Sequence, residues 1–295
     1  MAKLTLKQRF FDPRTPARRP RRAAYALPTL FTAGNIFLGF FAILQSIQGA
    51  LFGARGDLGP NPHFEAAAIA IGVAVVLDGL DGRIARLTNT VSDFGREMDS
   101  LADVITFGIA PAVLAFCWGV LFVTTGAFLR DHRAGYFFAF LFLVCGAARL
   151  ARFNVQTNPV PKNPGRPDRK YFVGLPIPAA AAIVAAIVYA SDSVPLEWWF
   201  LSMLWLALLA LLSFLMVSTW RYPSFKEISL TGPRSPLTVI LFAALIYLIW
   251  NYSQPVLLAL SVLYVSTGII IRAGGIVRRR FRPHPPPPQP EHQAS

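Results

Sequence analysis

The chain has 295 residues, 54% of them hydrophobic and only 15% charged, with a mean hydropathy of +0.48. This is too apolar for an ordinary soluble domain. A net charge of +13 would suit a nucleic-acid binder, but the Lys and Arg residues lie in tails and loops, where membrane topology and anionic lipid account for them.

Residues 1–24 are basic and broken by proline. They read as a solvated cytoplasmic tail, with no short apolar core or cleavage site of a signal peptide. Apolar segments follow at roughly 25–50, 64–87, 98–124, 134–154, 172–190, 196–218, 235–251 and 254–272. Each can cross a hydrocarbon core of about 30 Å. The expected fold is all-α, a polytopic membrane bundle of about eight transmembrane helices (residues 25–272). With both termini in the cytoplasm, every Lys and Arg except Arg55, Arg130 and Arg133 falls on the inner side. Other even numbers of spans keep this bias. Spans seven and eight are separated only by NYSQP, which leaves a re-entrant pair open. Residues 273–295 are Pro-rich and end in a polyproline II tail. Cys117 and Cys145 fall inside apolar spans and are expected to stay reduced.

Between residues 78 and 103 the sequence DGLDGRIARLTNTVSDFGREMDSLAD places Asp78, Asp81, Asp99 and Asp103 in or beside apolar helices. A carboxylate at membrane depth faces a polar cavity and has a partner. Four near one another cannot all stay ionised without cations, and a divalent metal is the natural partner for hard oxygen ligands. Asp78 and Asp81 are three apart near the end of the second span. Asp99 and Asp103 are four apart at the start of the third. Each pair shares a helical face, and a short turn brings the two faces together. One or two metals could be held there. Two metals about 3.5–4 Å apart suit phosphoryl chemistry. Gly82 and Gly95 leave room for a ligand against the backbone, and Arg86 can donate two hydrogen bonds to a phosphate. Asp93 reads as a helix cap. Two spaced carboxylate pairs on consecutive spans do not arise from capping.

These residues resemble the CDP-alcohol phosphotransferase family, whose signature is D-x2-D-G-x2-A-R-x8-G-x3-D-x3-D. Asp78, Asp81, Gly82, Ala85, Arg86, Gly95, Asp99 and Asp103 match it without departure. The segments LPTLFTAGNIFLGF, FGREMDSLADVITFGIAPA, RLARFN, FVGLPIPAAA and RYPSFK look like the integral-membrane (type II) bacterial phosphatidylserine synthases of that family. The resemblance implies transfer of the phosphatidyl group of CDP-diacylglycerol to L-serine with release of CMP. It implies Mg²⁺ or Mn²⁺ on the four aspartates, with Asp103 also the general base. It places Gly82, Ala85 and Arg86 at the CDP site, and it implies a homodimer in the bacterial inner (cytoplasmic) membrane with its site on the cytoplasmic side.

Serine needs a cation for its carboxylate. Arg149 and Arg152 share a face at the inner end of the fourth span, and Asn154 adds an amide. They bind serine or a substrate phosphate, or else they anchor the helix to headgroups. Asn35, an amide inside the first span, meets the donor's headgroup or bonds a neighbouring helix. Lys170 either adds to the positive potential or is a solvated loop charge. No chemistry falls to His63, His132, His284 or His292. The rival readings are a family member with a different acceptor alcohol, and a cation transporter whose aspartates form the ion path.

Overall fold

The computed structural model describes residues 22–88, 93–124, 132–157, 171–223 and 236–280. In chain order these form α1 (Arg22–Gly53), α2 (Pro62–Thr88), α3 (Asp93–Asp103), a π-helical stretch (Val104–Ile109), α4 (Ala110–Gly119), α5 (Arg133–Thr157), β1 (Tyr171–Val173), α6 (Ile177–Ala190), α7 (Trp199–Val217), β2 (Arg221–Pro223), α8 (Pro236–Asn251) and α9 (Ser253–Arg280). The chain is a helical membrane bundle. Among the described residues, six helices are long and apolar enough to cross a membrane: Leu30–Gly53, Pro62–Gly82, Phe94–Gly119, Arg133–Val155, Trp199–Val217 and Ser253–Arg272. The other two expected spans are helical but short, with α6 at 14 residues and α8 at 16.

Outward-facing side chains are as apolar as the core. Phe37, Phe40, Leu44, Val73, Val76, Phe140 and Phe214 are all exposed. That suits a lipid solvent, in which burial of apolar surface does not drive helices together and packing does. Small residues permit the close packing: Ala67, Ala70 and Ala74 on α2 and Ala180, Ala181 and Val184 on α6 are buried, and α2 packs on both α1 and α6.

Two irregularities position the site. The first is the π-helical stretch directly after Asp103. Pro111 stands in the first turn of α4 and has no N–H for the carbonyl four residues back, so the ladder must adjust. The Ala110 N–H reaches the Ile105 carbonyl, five residues back. Such widened turns recur at functional sites. α1 packs along this stretch, and the Thr106 hydroxyl donates to the Asn35 carbonyl across 2.9 Å. Gly39 makes the approach possible, because a Cβ there would lie 2.5 Å from Thr106 Oγ1 and 2.7 Å from its Cα.

The second is a two-stranded antiparallel ribbon, β1 with β2, in which Phe172 faces Tyr222 and Val173 faces Arg221. It delays the start of α6 to Ile177, five residues later than the apolar pattern predicts. Gly174 turns the chain there with φ +80°, a conformation that favours glycine. Pro176 precedes the helix and Pro178 sits in its first turn, where a missing N–H costs nothing. The ribbon packs against α9.

Candidate active site

Asp78 comes from α2, Asp99 and Asp103 from α3. One carboxylate oxygen from each lies within 4.8 Å of the others. Asp81, one turn beyond Asp78, is buried and turns one oxygen to α1: the Thr32 hydroxyl donates to Asp81 Oδ2 across 2.9 Å. All four interact electrostatically within the group. Asp81 Oδ1 and Asp103 Oδ1 are buried with no hydrogen-bond partner. Buried polar atoms left unpaired are costly and mark a place for an ion or ligand. Three converging carboxylates, one of them with an orphaned oxygen, and the orphaned oxygen of Asp81 one turn away fit a hard divalent cation that takes oxygen ligands.

Arg149, on α5, is buried. It feels the charges of Asp103 and Asp78, and its guanidinium carbon lies 5.9 Å from the centre of the Phe153 ring. Its Nε has no hydrogen-bond partner. Arg152 is placed differently. It donates to the carbonyls of Val217 at 3.0 Å, Val173 at 3.2 Å and Ser218 at 3.3 Å, fastening α5 to the end of α7 and to the ribbon. The Asn154 amide donates to Ser100 Oγ across 2.8 Å, one residue from Asp99. Two of the three acceptor-site candidates therefore tie elements together, and Arg149 is the one that faces the aspartates.

Asn35 is buried one turn beyond Thr32, with Oδ1 unpartnered. Gly82 is open: nothing lies within 4 Å of a Cβ built there, nor at Gly79 or Gly72. Gly95 stands near the start of α3, partly buried. Ala85 and Arg86 continue α2, and Asp93 opens α3; their side chains lie outside the described part, as do Lys170, His284, His292 and both tails. His63 bonds Gln45 at 2.8 Å and His132 packs edge-on to Phe116, both away from the aspartates. Cys117 and Cys145 are free thiols.

A family model for CDP-alcohol phosphatidyltransferase matches residues 25–208. The chain belongs to this family. It is 38% identical over 255 residues to a CDP-diacylglycerol–serine O-phosphatidyltransferase of Helicobacter pylori, spanning 85% of this chain and 92% of that one. A protein of the same name from Bacillus subtilis is 32% identical over 205 residues, 68% of this chain and 92% of its own. An archaetidylserine synthase of Methanothermobacter thermautotrophicus is 37% identical over 163 residues, 55% of this chain and 57% of its own. For a CDP-alcohol phosphatidyltransferase, a carboxylate cluster at one end of an apolar bundle is the expected place for pyrophosphate chemistry. Thr32 is a contributor that sequence reasoning passed over. Its signal was the Thr32–Asn35 pair, two polar side chains three apart inside an apolar span.

Proposed function

We propose that the chain is a CDP-diacylglycerol–serine O-phosphatidyltransferase, which moves the phosphatidyl group of CDP-diacylglycerol onto L-serine and releases CMP. The convergence of Asp78, Asp99 and Asp103 within 4.8 Å carries the phosphotransfer reading. The acceptor follows from kinship: the relatives are named for serine even where the lipid named with it changes.

Asp78, Asp81, Asp99 and Asp103 would hold the divalent metal, Mg²⁺ or Mn²⁺. When bound, it neutralises phosphate oxygens and eases departure of CMP. The remaining work belongs to the protein. Serine's hydroxyl is a weak nucleophile, and Asp103 takes its proton as the oxygen attacks. The new bond joins serine Oγ to the phosphatidyl phosphorus. The bond from that phosphorus to the bridging oxygen of the pyrophosphate breaks, and CMP leaves with that oxygen. Arg149 receives the serine carboxylate from the side opposite the donor. Asn35, Gly82, Ala85, Arg86 and Gly95 line the CDP-diacylglycerol headgroup, with the bare backbone at Gly79 and Gly82 admitting it against α2. Arg152 and Asn154 hold α5 in register.

The donor's acyl chains stay in the membrane. An apolar cavity of about 450 Å³, lined by Ala68, Gly72, Ala185 and Leu257 among others, lies between α2, α6 and α9 and offers one chain a place. The protein works as a homodimer in the bacterial inner membrane, with both termini and the aspartates on the cytoplasmic side, where the basic tails meet anionic headgroups. The test is product analysis after incubation of purified protein with CDP-diacylglycerol, metal and a panel of alcohols. Phosphatidylserine as the sole new lipid is expected. A different phospholipid keeps the phosphotransfer and overturns the acceptor, and no new lipid overturns both.

A further inference from the structure

The last two helices carry no recognisable motif, yet α9 is joined to the aspartate site through a path of buried and half-buried polar groups. Tyr222, on β2, is fully buried. Its ring lies 6.0 Å from that of Tyr264 on α9 and fills the space over Gly268, where any Cβ would overlap it. Tyr264 and Gly268 are four residues apart and share one face of α9. Tyr264 in turn feels Arg149, which feels Asp103 and Asp78.

Two donor atoms along this path are buried without partners: Arg149 Nε and Tyr222 Oη. Both can donate, and burial pushes the Tyr222 phenol up to about 12, so it keeps its proton at neutral pH. Tyr264 links the two, its ring 6.0 Å from that of Tyr222 and its phenol within the field of Arg149, and a native structure rarely leaves such buried donors idle. A small ligand with a carboxylate would satisfy both. The donor lipid has no carboxylate; the acceptor amino acid does.

We propose that Tyr222 and Tyr264 form the far wall of the acceptor pocket, with the Tyr222 hydroxyl donating to the α-carboxylate of the amino-acid acceptor beside Arg149, and Tyr264 positioning Arg149. This rests on the serine reading of the same site. The ribbon and α9 then serve acceptor selection: Tyr222 rides on β2, which packs on α9, and is seated by Gly268.

The test uses full-length protein in detergent and reads initial CMP release. Tyr222→Phe removes one hydroxyl and keeps the ring over Gly268. It is expected to raise the KM for L-serine about tenfold, the effect of one lost hydrogen bond to a charged group, while the KM for CDP-diacylglycerol and the melting temperature stay at wild-type values. Tyr264→Phe is expected to raise the serine KM by a smaller factor in the same selective way, and it decides the matter if Tyr222→Phe does not fold. An unchanged serine KM, or an equal rise in both KM values, overturns the assignment. Wild-type protein that releases CMP only with another alcohol, or not at all, overturns the serine reading and this inference with it. Serine-dependent release in wild type with no selective effect in either variant overturns this inference alone.

Discussion

Thr32 holds Asp81 from across the helix interface, its hydroxyl 2.9 Å from Oδ2, so one oxygen of that carboxylate is oriented by α1 and the other, Oδ1, is buried without a partner. Outer-shell donors of this kind orient carboxylates for metals, and their loss commonly costs about 10–100-fold in metal affinity. Thr32→Val should therefore raise the Mn²⁺ concentration needed for half-maximal CMP release by about tenfold, whereas Thr32→Ser should not. Equal metal dependence in all three proteins would show that α1 takes no part in the site.

Asp103→Asn keeps shape and removes the charge. It should leave a folded protein with transfer reduced by about 10²–10⁴-fold, the usual worth of a general base. Circular dichroism and melting temperature check the fold. Turnover at the wild-type rate would remove Asp103 from the proton transfer.

Arg149 and Arg152 are one turn apart and should fail differently. Arg149 is buried beside the aspartates, and Arg149→Ala should raise the serine KM by about 10–100-fold or abolish turnover, as expected for a lost charge-assisted contact. Arg152 bonds three backbone carbonyls. Arg152→Ala should cost about 2 kcal/mol of stability and lower the melting temperature, with serine KM little changed in the protein that remains folded. The reverse pattern would exchange their roles.

Gly39 touches Thr106 at the π-helical stretch. Gly39→Ala forces a methyl group to within 2.5 Å of Thr106 Oγ1, an overpacking that costs about 1–3 kcal/mol, and it should move the π-helical turn next to Asp103. Gly34→Ala, with nothing within 4 Å of the new carbon, is the neutral counterpart. Thermal unfolding and activity of the pair should separate. If Gly39→Ala behaves like Gly34→Ala, the close approach of α1 is not a constraint.

The aspartate cluster was legible in the sequence because helical spacing alone puts Asp78 with Asp81, and Asp99 with Asp103, on single faces. The helical bundle was legible because the apolar runs are long. The start of α6 was not, since VGLPIP at 173–178 merges with the alanines after it into one apolar run, and only the pairing of β1 with β2 and the turn at Gly174 separate it. Nor could spacing distinguish Arg149 from Arg152: three residues apart on one face, they differ by which helix end lies opposite, a tertiary fact. Tyr222 carried no periodic signal, because its neighbour Tyr264 is 42 residues away in the numbering and belongs to a helix with no motif of its own. Thr32 and Thr106 escaped for a related reason: a hydroxyl in an apolar helix usually bonds its own backbone, and here both instead reach another element.

Metal-dependent phosphatidyl transfer to serine is the work proposed for Asp78, Asp81, Asp99 and Asp103. It is tested most directly by CMP release from purified protein given CDP-diacylglycerol and Mn²⁺ or Mg²⁺, with and without L-serine, and again after EDTA. Release that requires serine, disappears with EDTA and returns with added metal is the predicted result. Folded protein that releases no CMP under any of these conditions, or releases it equally without serine and in EDTA, would contradict the account.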